Sequence, residues 1–295
     1  MDNLESKGIG VEIMARNNPK IIQPIPENRT YDSVLHHFEV ESAIAKRLMA
    51  ADRETRKDIY STMYDELFAQ VPDHPRLTRR ADARATASMN RRKMRLIEPF
   101  VRPDGSVLEF GAGDCRFSFE LAKIARKVYA VDIADQIGPD VSRPDNFELV
   151  VYNGYDLNLP GDSVDTAFSD QLIEHLHPED TEHHFRVVHR VLKPGGVYTF
   201  RTPHRLTGPH DVSRYFSTEA EGFHLKEWTY GELASLLEGI GYRSIAAYWF
   251  GRDQLIRVPI AAFRTTELLF QHLPLAQRKG RLRYLVPGIS MAVYK

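Results

Sequence analysis

The chain has 295 residues, 42% hydrophobic and 27% charged, enough for one large core with an accessory region. A net charge of −1 excludes a global pull toward nucleic acid or anionic membrane. The single cysteine, Cys115, excludes an internal disulfide and suits a reducing cytoplasm, and the acidic start MDNLESKGIG lacks the apolar stretch of a signal peptide.

Residues 1–30 carry Asn17-Asn-Pro19 and Pro24-Ile-Pro26 and read as an extended arm. From Tyr31 to about Val71 apolar residues repeat at four-residue spacing: Val34 and Phe38, Ile44 and Leu48, then Ile59, Met63 and Leu67. Pro72-Asp-His-Pro75 ends that pattern. Residues 1–88 are therefore expected to form the arm and a helical cap, either packed on the main domain or acting as a mobile lid. Between Arg76 and Arg95 eight basic residues face one acid, Asp82. Such a run is either a solvated helix face or a contact for an anionic substrate, such as a phosphate, a carboxylate or a nucleic acid backbone.

The rest of the chain is organised around the stretch Val107–Asp132. Val107, Leu108 and Phe110 form an apolar run, broken by Gly111-Ala-Gly113. A helical face of Phe117, Leu121, Ile124 and Ala125 comes next, then a second apolar run, Val128 to Val131, ending at Asp132. Strand, glycine turn, helix and strand make a βαβ unit whose turn faces a nucleoside-type ligand. Asp132, 19 residues past Gly113, is placed to accept both ribose hydroxyls. The dinucleotide fingerprint needs a third glycine at position 116, which is Arg116 here. Glu109 and Asp114 would repel phosphate and suit an ammonium. S-adenosylmethionine, with a sulfonium, an amino-acid end and no phosphate, fits those charges.

Further strands are expected at Phe147–Tyr152, Val164–Phe168, Val197–Arg201, Ser244–Phe250 and Gly288–Tyr294. The turn Asn153-Gly154-Tyr155-Asp156 closes the first of these, with Tyr155 or Asp156 the candidate adenine contact. A helix carrying Phe185, Val188, Val191 and Leu192 is closed by Lys193-Pro-Gly-Gly196, and another runs from Thr229 to Gly239. Within 251–287, Leu268, Leu269 and Phe270 suggest an amphipathic helix, and Arg278-Lys-Gly-Arg281 with Arg283 makes a second basic patch. This segment reads as a homodimer surface or a substrate wall. The apolar stretch Leu255–Leu275 is interrupted by Arg257, Arg264 and Glu267, so no membrane span is expected.

Residues 90–250 resemble a class I S-adenosylmethionine-dependent methyltransferase. The resemblance rests on VLEFGAGDC, the acid in VYAVDI, NGYDLNLPGDSVDTAFSDQLIEHL and LKPGGVYTF, in this order. It implies an α/β fold with a Rossmann-like seven-stranded sheet whose last strand is antiparallel. A cap at 1–88, a cofactor-binding core at 89–250 and a helical insertion with the final strand at 251–295 would complete it. Cofactor contacts are implied at Glu109, Gly111, Gly113, Asp132, Gly154, Tyr155, Asp156 and Ser169.

Eight of the twelve histidines lie between His175 and His224. Gln171-Leu-Ile-Glu174-His175, Thr202-Pro-His204 with His210, and His224 with Glu227-Trp228 resemble small-RNA 2′-O-methyltransferases and, more loosely, ubiquinone-pathway O-methyltransferases. By that resemblance Glu174, His175 and His224 would hold a divalent metal. Gln171 stands where the family has a glutamate, and His204 where it has asparagine. His204 or His210 would then compensate, and His175, His204 and His210 are the candidates to serve the acceptor. The plainer alternative has His175 and His204 acting without metal while His177, His183, His184 and His189 lie on a helix surface. Trp228 and Tyr230 either stack on a sugar or base or cover the core. The expected activity is O-methylation of a small polyhydroxylated acceptor, sugar-like or a natural product. RNA methylation at a terminal ribose and a catalytically silent cofactor-binding subunit are the alternatives.

Overall fold

The computed structural model describes residues 19–251 and 254–295; residues 1–18, most of the expected arm, lie outside the described residues. Two long helices come first, α1 (Tyr31–Ala50) and α2 (Arg53–Gln70). Each starts on a capping oxygen: Thr30 Oγ1 accepts from Ser33 N, and Asp52 Oδ1 accepts from Thr55 N. Their four-residue apolar spacing buries Ile44, Leu48, Tyr60, Met63 and Leu67 in one cluster with Tyr155 and Phe223 of the main domain. Two shorter helices come next, α3 (Pro75–Ala81) and α4 (Ala83–Ile97). Pro75 thus opens a helix at its first position, where the missing N–H is no loss, besides helping to end the preceding region.

The main domain continues with β1 (Ser106–Phe110), α5 (Arg116–Leu121), β2 (Lys127–Asp132), β3 (Phe147–Val151) and β4 (Val164–Asp170). Then come α6 (Pro178–Val191), β5 (Leu192–Thr202), α7 (Tyr230–Ile240), β6 (Ser244–Gly251) and β7 (Gln254–Val258). Helices α8 (Ile260–Phe270) and α9 (Leu275–Lys279) and strand β8 (Ile289–Tyr294) complete the chain. The sheet order is β3-β2-β1-β4-β5-β8-β6-β7, with β1 to β5 parallel and β8 antiparallel to both β5 and β6.

Two expectations need correcting. Among the described residues the sheet has eight strands, not seven, because β7 folds back antiparallel on β6. It lies in the segment read as a helical insertion, so the division at residue 250 cuts through a hairpin. Strand β5 also starts earlier than expected, at Leu192, with the Lys193–Gly196 segment absorbed as a register irregularity against β4.

Strand β1 is buried along its whole length and sits between β2 and β4. One face of the sheet packs Phe185 and Val188 of α6 and Leu233 and Leu237 of α7. The other packs Phe117 and Leu121 of α5 with Leu96 and Ile97 of α4. Chain order reverses direction between β1 and β4, which opens a crevice at their C-terminal ends.

The helical cap is fastened to this core at two buried carboxylates. Asp180 of α6 accepts from Arg56 Nε and Nη2 at 2.8 and 2.9 Å, from Tyr60 at 3.0 Å and from Tyr155 at 2.7 Å. Glu41 of α1 accepts from the backbone N–H of Phe223 at 3.1 Å. Among the described residues, no helix is long and apolar enough to cross a membrane.

Candidate active site

The crevice is shaped by the turn after β1. Gly111 and Gly113 adopt φ of 67° and 58°, the left-handed region that side chains resist. A Cβ at Gly111 would also come within 3.3 Å of the Leu172 side chain. Asp132, at the end of β2, is aimed by the same turn: its Oδ2 accepts from Gly113 N at 2.7 Å and its Oδ1 from Ile133 N at 2.8 Å. The cap roofs the crevice with Tyr60, Met63, Tyr64 and Phe68 of α2. Together with the open space at its mouth, the crevice measures about 940 Å³. A glycine cradle, an acid at the neighbouring strand end and aromatic walls are what S-adenosylmethionine requires.

Of the residues expected to hold that cofactor, Gly111, Gly113, Asp132 and Gly154 line the crevice. Four others do not, and each has a physical reason. Glu109 is buried beneath the turn, where Ser118 Oγ donates to it at 2.5 Å and Lys93 Nζ at 3.4 Å. Ser169 pairs with the Tyr198 hydroxyl inside the sheet layer at 2.6 Å. Tyr155 is drawn into the cap by Asp180, and Asp156 stays at the surface, accepting from Asn153 Nδ2. Tyr152, one residue past β3, lines the crevice instead. The expected strand end at Tyr152 was the available signal for it.

A second, larger cavity adjoins the first between the cap and the loops after β4 and β5. Tyr64, Arg76, Gln171 and His175 line both, so they frame the opening between them. Gln171 holds a φ of 57°, a strained conformation for a side chain of its size, at this junction.

Just inside the second cavity, one donor atom each from Glu174, His175 and His224 lies within 4.8 Å of the others. The second nitrogen of each histidine decides whether the group suits a cation. His175 Nδ1 faces the Phe223 carbonyl at 2.8 Å, so it carries the proton and leaves Nε2 with a lone pair. His224 Nδ1 faces Glu227 Oε1 at 2.7 Å, with the same consequence for its Nε2. Glu174 Oε2 accepts from Thr202 at 2.9 Å, while its buried Oε1 has no hydrogen-bond partner. Burial raises the Glu174 carboxyl to about 7 and lowers His175 to about 3. Burial would lower His224 too, but Glu227, Glu174 and Asp211 outweigh it and raise the imidazole to about 9. The lone pair of His175, the orphaned Glu174 oxygen and, once deprotonated, Nε2 of His224 fit a divalent ion such as zinc, iron or manganese. The proton on His224 is what such an ion would displace.

A neighbouring group, His37, Glu41 and His74, meets the same distance criterion and fails the chemical one. Arg29 donates to His37 Nδ1 at 2.9 Å, and the Arg76 N–H donates to His74 Nδ1 at 3.1 Å. Both rings therefore carry their proton on Nε2, directed at Glu41 at 2.8 and 3.6 Å. No imidazole lone pair remains there for a metal.

The remaining histidines separate clearly. His204, expected to serve the acceptor, is fully buried and lines neither cavity. Its Nε2 meets Glu267 of α8 at 2.8 Å and its Nδ1 accepts from Leu206 N, so it belongs to the core. His210 reaches the second cavity, but its Nε2 turns back to the His204 carbonyl at 3.2 Å. His184 is buried and lines the crevice, contrary to the surface reading; its Nε2 meets the Tyr198 hydroxyl at 3.0 Å. Its spacing to Val188 and Val191 on α6 was the signal. Trp228 and Tyr230 cover the core. Among the described residues, the segment 254–287 lines neither cavity. The basic run is dispersed: Arg76 frames the junction, Lys93 meets Glu109, and Arg92 lies over Phe250.

A central β1 flanked by β2 and β4, a glycine turn opening on an acid at the end of β2, and an antiparallel strand inserted beside β5 define the class I methyltransferase fold. Residues 108–200 match the family model described as Methyltransferase domain. The match is confined to that stretch, and it is to S-adenosylmethionine-dependent methyltransferases that this part of the chain is similar.

Among curated proteins it is 36% identical over 141 residues to a probable S-adenosylmethionine-dependent methyltransferase of Mycobacterium tuberculosis, covering 48% of this chain and 49% of that protein. It is 36% identical over 98 residues to phosphoethanolamine N-methyltransferase 1 of Triticum aestivum, covering 31% of this chain and 20% of that one. The chain thus spans about half the length of the mycobacterial relative. Among solved structures, a putative methyltransferase of Haloferax volcanii in complex with the Trm112 methyltransferase activator aligns with a TM-score of 0.50 at 18% identity. That alignment covers 72% of this chain and 94% of the other. A SAM-dependent methyltransferase of Archaeoglobus fulgidus aligns with the same score at 17% identity, covering 70% and 94%. These two likenesses carry the fold alone.

Proposed function

We propose that the protein transfers the methyl group of S-adenosylmethionine to a hydroxyl of a small polyhydroxylated acceptor, with Glu174, His175 and His224 holding a divalent ion. The observation that carries this reading is the placement of that trio beside the opening shared by the two cavities. An amine needs little help to accept a methyl group; a hydroxyl must lose a proton and be held in line. The trio supports oxygen as the acceptor for that reason.

Gly111, Gly113, Asp132 and Gly154 would seat the cofactor, whose sulfonium supplies an activated methyl carbon. The acceptor would approach from the second cavity through the frame of Tyr64, Arg76, Gln171 and His175. His175 is kept neutral by burial, so its Nε2 can face a hydroxyl or an ion at ordinary pH. Phe223 and Glu227 fix the two ring orientations from behind. A divalent ion in the trio would supply Lewis acidity, lowering the pKa of a hydroxyl and orienting its neighbour. A reducing, cytoplasmic setting goes with this reading, since Cys115 is a buried free thiol.

The test combines calorimetry with S-adenosylhomocysteine, elemental analysis, and a radiolabelled-methyl screen of polyols before and after chelation. Homocysteine-form binding and a chelation-sensitive activity restored by manganese or zinc are expected. Full activity in metal-free protein removes the metal. Binding of the cofactor without methylation of any acceptor, oxygen or nitrogen, removes the enzyme.

A further inference from the structure

The charges of the cofactor crevice leave one group unanswered. Its carboxylates and guanidinium among the described residues are Asp132, Asp170, Asp180 and Arg76. Asp170 is matched by Arg201, at 2.7 and 3.0 Å, and Asp180 by Arg56. Asp132 accepts from the glycine turn. Arg76 has no carboxylate within ion-pair distance among the described residues; its guanidinium lies over the Tyr64 ring, 4.9 Å from the centroid. Asp132 in the crevice and Glu174 in the second cavity, whose Oε1 has no hydrogen-bond partner, attract Arg76 only from beyond ion-pair distance. The other carboxylates of the second cavity are engaged elsewhere. Glu41 is taken by His37, His74 and Phe223 N, Asp73 by Arg29 and Ser33, and Asp211 by the backbone N–H groups of Ser213, Gly222 and His224. A partly buried guanidinium with no carboxylate paired to it keeps its N–H donors open, and that planar fork matches a carboxylate or phosphate edge.

We propose that Arg76 is an oxyanion seat at the junction of the two cavities, engaging a carboxylate or phosphate edge-on. This rests on the cofactor reading given above. The oxyanion has two possible sources: the amino-acid carboxylate of the cofactor, entering from the crevice, or an acidic group on the acceptor, entering from the second cavity. Either way the basic run from Arg76 to Arg95 contributes to ligand binding through its first residue and not as a stripe.

Calorimetry on chelated protein separates the sources. S-adenosylhomocysteine and 5′-methylthioadenosine, which lacks the amino-acid end, are titrated into wild type, R76Q and R76K. Inorganic phosphate and lactate are then titrated into each protein loaded with S-adenosylhomocysteine. If the seat takes the cofactor tail, R76Q weakens S-adenosylhomocysteine roughly ten- to hundredfold and leaves methylthioadenosine unchanged. If it takes the acceptor, both nucleosides bind as before, and phosphate or lactate binding is lost in R76Q. R76K keeps the charge without the fork and should fall between; it decides the matter if R76Q does not fold. Wild-type values for the nucleoside ratio together with no Arg76-dependent anion binding overturn the proposal. Wild type that binds neither nucleoside removes the cofactor reading itself, and the seat with it.

Discussion

A histidine's use in this protein is set by what faces its second nitrogen. His175 and His224 each turn one nitrogen to an oxygen acceptor, which frees the other for a ligand. His37 and His74 receive N–H donors there and so become donors to Glu41. His204 receives the Leu206 N–H on Nδ1 and faces Glu267 with Nε2, which locks it into the core. Its removal therefore falls on stability. Glu267 Oε1 also accepts from Tyr230 N at the start of α7, so the pair ties α7 and α8 to the end of β5. His204→Ala should destabilise the fold by roughly 2–4 kcal/mol, since it takes one donor from a buried carboxylate and leaves a void. Urea denaturation measures this, and kcat per folded molecule should stay within about twofold, the change that ~0.4 kcal/mol represents. A kcat collapse at unchanged stability would return His204 to the acceptor site.

Among the elements, the joint between α1 and the 222–224 segment carries a pH signature. Burial alone would raise the Glu41 carboxyl. The N–H groups of His37, His74 and Phe223 overcome that and hold it far below the ordinary glutamate value of 4.5. An acid depressed in the folded state stabilises the fold above its unfolded pKa, and the contribution is lost as pH falls below that value. The stability difference between wild type and Glu41→Gln should thus be constant from pH 7 to about 5 and shrink below 4.5, by up to ~1.4 kcal/mol per pH unit. Urea titrations at pH 7, 5, 4 and 3 read it directly, and a difference that ignores pH would show that the carboxylate charge is not what binds this joint. The joint also marks the limit of what sequence can tell. Strands β1 and β2 and the glycine turn were legible because their signals are contiguous: an apolar run, a left-handed turn, a helical period. Glu174 and His175 were legible as neighbours on one turn. Glu41 and Phe223 are 182 residues apart, and Tyr155 reaches Asp180 and Arg56 across two other elements, so no local pattern announces either contact. Strand β7 escaped because QLIRV is short and lies at the sheet edge, with Ile256 half exposed, so burial imposes little alternation on it.

At the scale of the whole molecule, cap and core share the cofactor crevice, which bears on the choice between a packed cap and a mobile lid. The turn at Gly111–Gly113 and Asp132 forms the floor, and α2 supplies Tyr60, Met63, Tyr64 and Phe68 as the roof. Asp180 lines the same space while it holds Arg56 and Tyr60, so the fastening of the cap and the wall of the crevice are partly one structure. A ligand touching floor and roof together must stabilise their contact, by linkage, as much as it is stabilised by them. At a hundredfold excess over Kd the gain is about 2.7 kcal/mol, close to a hundredfold slowing of exchange for amides that open only with the roof. Hydrogen exchange with and without S-adenosylhomocysteine should therefore show added protection along Tyr60–Phe68 of α2 as well as at the turn after β1. Helix α8, which meets neither cavity, provides the reference and should change little beyond the global stabilisation. Protection confined to Gly111–Asp132, with α2 exchanging as in the free protein, would mean that the roof opens independently of its contents. In that case the aromatic side chains above the crevice are a lid and not a wall.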